Sequence, residues 1–271
     1  MNDSPVVVVG LGFTGLRLAR KLAGQRPVFG ATRNPDRFEG LKKRALIVAN
    51  FRSDVFPLGS IVVHTIPPID DPDQTRVHEF LNAIEPRRIV YISATSVYGD
   101  QHLVEATSLA LPSTPPGVRR RAEEMWIEAG PWTSLILRAA AIYGPGRGAH
   151  RRLQMPGLEV PDSMAKSRVP SGMVSRIHVD DLVELAKAGI DSDVIGAYPV
   201  ADRLPCSTEE ILRWSAEFIG VPYSEAPLSL TAGRAVDGTK IREVLGVPLK
   251  YPDYREGIPQ CLREEAKIGS E

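Results

Sequence analysis

Two hydrophobic patterns alternate along this chain: short unbroken apolar runs, and longer stretches in which apolar residues recur every three or four positions. The first run is Val6-Val7-Val8-Val9. An apolar run with no polar position, bounded by turn residues, reads as a strand covered on both faces. It enters Gly10-Leu11-Gly12-Phe13-Thr14-Gly15, after which Leu16, Ala19, Leu22 and Ala23 fall at helical spacing until Gly24 and Pro27 stop the helix. Val28-Phe29-Gly30-Ala31-Thr32 resumes a strand. Further strands are predicted at Ala45-Leu46-Ile47-Val48-Ala49, Ile61-Val62-Val63-His64-Thr65-Ile66, Arg88-Ile89-Val90-Tyr91-Ile92-Ser93 and Ser134-Leu135-Ile136-Leu137-Arg138. Between them, Val77, Phe80, Leu81 and Ile84 form the buried face of a helix that Asp70, Asp71 and Asp73 introduce and Pro86 ends, and Ala122 to Ile127 belong to another. Such alternation predicts an α/β fold with a doubly wound parallel sheet and helices on both faces.

The second half is less regular. Residues 148–176 show no clean period and read as a loop-rich insertion over the mouth of the sheet. Ser207-Thr208-Glu209-Glu210 is a capping box opening a helix with Ile211, Trp214 and Phe218 on one side and Gly220 behind it. The expected organisation is a single domain over 1–271, with a Rossmann-type core at about 5–147 plus 177–201. A small substrate-side lobe is expected from about 148–176 and 202–271.

Composition removes several alternatives. With 271 residues, 43% hydrophobic and 24% charged, the chain can bury one large core. Its formal net charge is zero, so no basic field invites nucleic acid or an anionic membrane. Arg119-Arg120-Arg121 and Arg151-Arg152 read as solvated faces. The two cysteines, Cys206 and Cys261, lie far apart, which fits a reducing cytoplasm and no disulfide framework. The opening apolar run is too short for a signal peptide and lacks a basic leader, and no stretch approaches a membrane span. A cytoplasmic protein with a small-molecule substrate, no nucleic-acid or membrane partner and no metal is therefore expected; whether it forms a homodimer stays open.

The glycine turn carries the chemistry. Between a strand and a helix, Gly10 lets the chain turn, Gly12 lets backbone approach a pyrophosphate, and Gly15 lets the helix pack on the strand. The phosphates would meet the helix N-terminus, whose free N–H groups and dipole favour anions. At the end of the second strand an acidic residue would accept from the ribose 2′-hydroxyl of NAD, whereas this chain has Thr32-Arg33-Asn34, with Arg37 one turn on. The guanidinium of Arg33 is a planar fork suited to phosphate, so NADP(H) is expected over NAD(H).

Four motifs in order resemble the short-chain dehydrogenase/reductase superfamily, in its extended and atypical, NAD-dependent epimerase/dehydratase-like branches. They are the glycine turn, Ser93-Ala94-Thr95-Ser96-Val97-Tyr98-Gly99, Leu137-Arg138-Ala139-Ala140-Ala141-Ile142-Tyr143-Gly144-Pro145-Gly146-Arg147, and Arg176-Ile177-His178-Val179-Asp180-Asp181-Leu182. The segment Leu249 to Gly257 is similar to the YeeZ-like subgroup. The resemblance implies a dinucleotide in a cleft at the carboxyl ends of the strands, with Asn50 and Phe51 near the adenine, Ile66 and Pro67 near ribose and phosphates, and Ala139 to Tyr143 near the nicotinamide. Expected cofactor contacts are thus Gly10, Gly12, Phe13, Thr14, Gly15, Arg33, Asn50, Phe51, Ile66, Pro67 and Arg120.

The family's tyrosine and lysine, spaced Tyr-x-x-x-Lys on one helix, are missing. The spacing places the lysine cation beside the tyrosine and lowers its pKa. Counting back from Glu124, the lysine position falls on Arg120 and the tyrosine position on Pro116, and the family serine or threonine falls on Ala94, with Thr95 and Ser96 adjacent. Arginine stays protonated and is no tunable partner, though it could hold a ribose or an anion. Thr95, Tyr143 and His178 are the candidate catalytic residues, with Tyr98 as a further acid. Asp180 or Asp181 reads as a helix N-cap, and His178 equally as a hydrogen-bonded core residue. The expected function is an atypical NADP(H)-binding oxidoreductase or epimerase-like protein acting on a small polar substrate such as a nucleotide-linked sugar. The alternative is a non-catalytic cofactor sensor or scaffold.

Overall fold

The computed structural model describes residues 4–44, 46–52, 54–68, 72–153, 169–223, 228–229 and 233–268. Ala45, Asp70, Asp71 and residues 154–168 of the anticipated irregular lobe lie outside them. Seven strands form one sheet in the order β11-β7-β5-β4-β1-β2-β3, every neighbouring pair parallel. They are β1 (Val6–Val9), β2 (Val28–Ala31), β3 (Leu46–Ala49), β4 (Ile61–His64), β5 (Arg88–Ala94), β7 (Thr133–Ala139) and β11 (Gly196–Val200). Three short pairs lie outside it: β8 (Ala141–Tyr143) with β10 (Arg176–His178), β9 (Val169–Pro170) with β12 (Leu228–Ser229), and β6 (Leu103–Val104) with β13 (Ala235–Val236).

Helices α1 (Phe13–Leu22), α2 (Asp73–Ile84), α3 (Pro115–Glu128) and α4 (Val179–Ile190) cover the sheet, and α5 (Thr208–Ile219), α6 (Thr239–Leu245) and α7 (Tyr254–Ile268) follow. The valine run of β1 explains the layering. Val6 and Val8 join the cluster that holds Leu18 of α1 and Leu182 of α4, while Val7 and Val9 join the cluster of Val77, Phe80 and Leu81 from α2 and Ile127 from α3. All four valines are fully buried, and each such burial is worth roughly 1.5–3 kcal/mol over exposure. The chain is a Rossmann-type α/β protein.

Local signals place the helix starts. Ser207 Oγ accepts from the Glu210 N–H at 3.0 Å, the capping box read from the sequence, and Thr114 caps α3 the same way through Gly117. The start of α4 differs from expectation. Its N-cap is His178, whose Nδ1 accepts from the Asp180 N–H at 3.2 Å. Asp181 instead turns to another segment and accepts the backbone N–H groups of Lys250 and Tyr251. Strand β4 stops at His64, two residues short of the predicted end; just beyond it Thr65 still donates its backbone N–H to the Val9 carbonyl at 2.9 Å, and its hydroxyl bonds the Val9 and Gly10 carbonyls.

Candidate functional site

The glycine turn sits at the switch point of the sheet, where β1 has β2 on one side and β4 on the other. Ligands of open parallel sheets bind at this point, beyond the carboxyl ends of the strands. Gly10 has φ +92°, and a Cβ there would lie 2.6 Å from Ile66 Cγ1. A Cβ on Gly15 would collide with the Gly10 carbonyl oxygen, so α1 can approach β1 this closely only without a side chain. Gly12 behaves oppositely: a Cβ there meets nothing within 4 Å and points into open space. Helix α1 starts with neither a side-chain cap nor an acidic residue in its first turn. Its orphan N–H groups and dipole therefore face an open cradle over Gly12 with no carboxylate from the helix's own first turn, the arrangement a diphosphate fits.

Three cavities border that cradle: one of about 940 Å³ lies along α1, lined by Gly12, Phe13, Arg17, Arg37 and Glu264 among others, and two more lie toward the strand ends. The smaller, about 220 Å³, is lined by Gly10, Leu11, Gly12, Thr32, Arg33, Asn34, Arg37, Phe38, Phe51, Ile66, Asp73, Arg76 and Val77. Of the expected adenosine-side residues, Arg33, Phe51 and Ile66 stand in it. Asn50 does not. It is exposed and its Oδ1 accepts from the Arg52 N–H at 2.9 Å, closing a local turn rather than facing the pocket. Arg33 is exposed and donates from Nη1 to Asp73 Oδ2 at 2.7 Å. Asp73 and Arg76 were not anticipated as pocket residues; their spacing of three on α2 was the available signal.

The larger cavity, about 950 Å³, runs from Gly12, Phe13 and Thr14 past Pro67 to Ala94, Thr95 and Ser96, over a floor of Ala139 to Ile142, and out to Met173, Ser175 and Arg234. Arg120 lines it, and its buried Nε has no hydrogen-bond partner among the described residues. Arg147 also lines it and lies over the Phe13 ring, 5.3 Å from the centroid. Arg234 ties the 95–101 turn to β13 by donating to the carbonyl oxygens of Thr95, Gly99 and Gln101. No sequence signal marked Arg234, because its partners are more than 130 positions away.

Behind the cleft, α3 supplies two buried carboxylates. Glu124 accepts from Ser93 Oγ at 2.6 Å, from Arg138 Nε and Nη2 at 3.1 and 2.8 Å, and from Arg121 at 3.0 Å. Arg138 Nη1 also reaches the Tyr98 oxygen at 3.3 Å. Glu123 meets His78 at 2.8 Å, His64 at 3.3 Å and the Gln74 amide. Burial raises the Glu123 pKa, but the two histidine hydrogen bonds outweigh it and hold the carboxyl at about 2.

The structure brings Thr95 into the cleft but not the other two catalytic candidates. Tyr143 is buried in a cluster with Cys206, Ile211, Tyr254, Ile258 and Cys261, and its hydroxyl donates to the Asp253 carbonyl at 3.3 Å. Burial and surrounding carboxylates push its pKa far above the tyrosine range. His178 is fully buried, edge-on to Tyr143 and 3.1 Å from Gln260 Oε1. Burial lowers its pKa to about 4, so it is neutral at pH 7, accepting at Nδ1 and donating from Nε2. Both act as packing and capping groups, and Tyr98 is likewise enclosed at 1% exposure. Pro116 occupies the first turn of α3 and brings no hydroxyl of its own. The acid/base groups left in the cleft are the hydroxyls of Thr95, Ser96 and their serine and threonine neighbours, together with Asp100, which accepts from Ser113 at 2.9 Å. Among the described residues there is no cluster of His, Cys, Asp or Glu able to hold a metal, and no helix long and apolar enough to cross a membrane.

No protein-family model matches the chain. Protein YeeZ of Escherichia coli K12 is 27% identical, the match covering 92% of this chain and 96% of YeeZ. A solved protein of unknown function from Silicibacter pomeroyi superposes with a TM-score of 0.79 at 28% identity, covering 96% of this chain and 99% of its own. The chain is similar to YeeZ across nearly its whole length. A second relative of this YeeZ-like chain is a Streptomyces protein named 3-diazoavenalumate denitrifying reductase, 29% identical over 66% of each chain. The fold also matches the Bordetella bronchiseptica enzyme WbmG, solved with NAD and UDP, at a TM-score of 0.74 and 18% identity over 99% of this chain and 96% of that one.

Proposed function

We propose that this protein is an NADP(H)-dependent oxidoreductase that works on a small polar substrate without a tyrosine–lysine relay. The observation that carries the reading is the open, uncapped and acid-free N-terminus of α1, joined on one side to an arginine-lined pocket and on the other to a cleft of about 950 Å³. Gly10, Gly12, Phe13, Thr14 and Gly15 would cradle the diphosphate, Arg33 and Arg37 would read the 2′-phosphate, and Phe51 and Ile66 would wall the adenosine. Arg120, which lines the cleft, would offer its guanidinium to a ribose hydroxyl or a substrate oxygen. A nicotinamide dinucleotide supplies or accepts a hydride when bound. The names of a reductase relative and of a neighbour solved with NAD and UDP support this class and leave a nucleotide-linked sugar as one substrate to test.

The residues present favour reduction over epimerisation. An epimerase of this family type must withdraw a hydroxyl proton and return it, which needs a tunable base beside the nicotinamide, and Pro116 and Arg120 hold the positions of that pair. Thr95 and Ser96 can hydrogen-bond to an acceptor oxygen and relay a proton from water, which suits acceptors that take hydride with little help. A single-turnover assay with 4-deuterated NADPH and a panel of carbonyls, electron-poor alkenes and sugar nucleotides tests this. Deuterium in the reduced product, and its loss in Thr95→Ala, is the expected result.

The same missing base favours one other reading, a cofactor sensor of the same NADP(H) site. Tight dinucleotide binding with no label transferred to any member of the panel would select it.

A further inference from the structure

Arg33 shares its pocket with a carboxylate. Asp73 Oδ2 accepts from Arg33 Nη1 at 2.7 Å, and Asp73 Oδ1 accepts from Arg76 Nη1 at 2.9 Å, so each carboxylate oxygen is held by a different arginine. All three side chains line the pocket of about 220 Å³ beside the glycine turn, and Arg37 lines it without an ion pair among the described residues. The arginines are 64% and 53% exposed, whereas Asp73 is 27% exposed: the carboxylate is the most enclosed member and lies between the cations. Its place in the first turn of α2 favours a negative charge there.

A carboxylate bridged by two guanidinium groups takes donors that a phosphoryl group would otherwise use. It also repels a nearby phosphate dianion. Toward a ribose bearing a free 2′-hydroxyl it acts in the opposite sense, because a carboxylate accepts from hydroxyls. The anion-reading arginines and the carboxylate that opposes them thus belong to one cluster. Pairs this exposed are weak enough to exchange.

We propose that Asp73 sets the discrimination between NADP(H) and NAD(H) by holding Arg33 and Arg76 in the dinucleotide-free protein and competing with a 2′-phosphate for them. This inference rests on the dinucleotide reading given above. Asp73 would accept from the 2′-hydroxyl of NAD(H) and would have to release Arg33 for NADP(H), which leaves the wild-type chain able to use both and only moderately selective.

Calorimetric titration of the full chain with NADPH and with NADH, for wild type, Asp73→Asn, Arg33→Ala and the double variant, tests it. Asparagine is near-isosteric and keeps an oxygen at the start of α2, and circular dichroism checks that each variant is folded. Asp73→Asn is expected to shift the affinity ratio toward NADPH by about fivefold or more, and NADPH binding should become steeper in salt. In the Arg33→Ala background the gain should shrink to about twofold, since the competed cation is gone. An unchanged ratio in Asp73→Asn overturns the proposal, and an undiminished gain without Arg33 overturns the competition it describes. A wild type that prefers NADH, but whose ratio still moves toward NADPH in Asp73→Asn, leaves Asp73 in its role and removes the NADP(H) preference. Failure to bind either dinucleotide overturns both.

Discussion

Arg17 Nη2 donates to both carboxylate oxygens of Glu264, at 2.7 and 2.6 Å across 247 positions of sequence, while its Nε donates to Asp180 at 2.5 Å. One side chain of the glycine-turn helix thereby fastens α1 to α4 and α7. Beside it, Glu265 accepts from the Gly146 N–H, from His150 and from Arg151, pinning the loop that carries Arg147. Glu264→Gln is expected to cost about 1 kcal/mol in urea unfolding, the scale of a partly exposed ion pair. It should also weaken NADPH, because α1 loses its outer support. A variant with unchanged dinucleotide affinity would show that α1 is held well enough by its sheet contacts.

The three glycines of the turn predict different outcomes for one substitution. Gly15→Ala must push α1 away from the Gly10 carbonyl, so both stability and dinucleotide affinity should fall. Gly12→Ala points its methyl group into open space. The melting temperature should stay within about 1–2 °C of wild type, while NADPH binding weakens by roughly tenfold or more as the methyl takes the room of the diphosphate. Equal affinity in Gly12→Ala would remove the diphosphate from this cradle.

The two buried carboxyls with raised pKa set the upper limb of stability against pH. Burial lifts Asp202 from 3.8 to about 7 and Asp181 to about 6, only partly offset by the backbone N–H groups that bond them. Each favours the protonated form when folded, so its contribution is complete below pH 3.8 and is lost as pH rises through 6 and 7. Glu123 and Glu265 have the opposite sign. Burial raises both, histidine and further hydrogen bonds overbalance it, and their pKa of about 2 gives stability that is present above 4.5 and lost as pH falls toward 2. The melting temperature should therefore rise from pH 8 to about 5 and fall below about 4. Asp202→Asn should flatten the upper limb; an unaltered slope in that variant would reassign it to other groups.

Substitutions at the acid/base candidates should separate along the line the geometry draws. Thr95→Ala is expected to lower single-turnover rate by roughly a hundredfold with dinucleotide affinity intact, and Thr95→Ser to restore most of it. Tyr143→Phe should leave the rate within about threefold, since its hydroxyl donates only to the Asp253 carbonyl. His178→Ala should lose about 2 kcal/mol or more of stability through a missing helix cap and a cavity. A rate collapse in Tyr143→Phe at full stability would return that phenol to the chemistry.

How far the sequence could be read follows the range of the forces involved. The β1 to α1 unit was legible because its signals are local: a valine run covered on both faces, glycines at the turn, helical spacing after them. Strand β11 is hidden in the sequence, since Gly196 and Pro199 break the apolar run; at the sheet edge a proline costs no ladder bond that matters. The cap of α4 escapes a local reading for a different reason. Asp181 had the right local chemistry, but two backbone N–H groups some 70 positions away claimed its oxygens, leaving His178 to cap. In the cleft, the absence of the Tyr-x-x-x-Lys pair is visible at once, whereas the partners that enclose Tyr143 and His178 come from α5, α7 and the segments that precede them, and motif spacing does not show them.

The distance in sequence between Arg17 and Glu264 also sets a clock on synthesis. At about 5–20 residues per second, the ribosome delivers the glutamate roughly 10–50 s after the arginine. Until then the first helix has its cation without its far anchor, and the loop bearing Arg147 has no Glu265 to hold it. The amino-terminal half therefore spends most of its synthesis without these two tethers, and the outer bracing of the glycine turn is a late event in maturation.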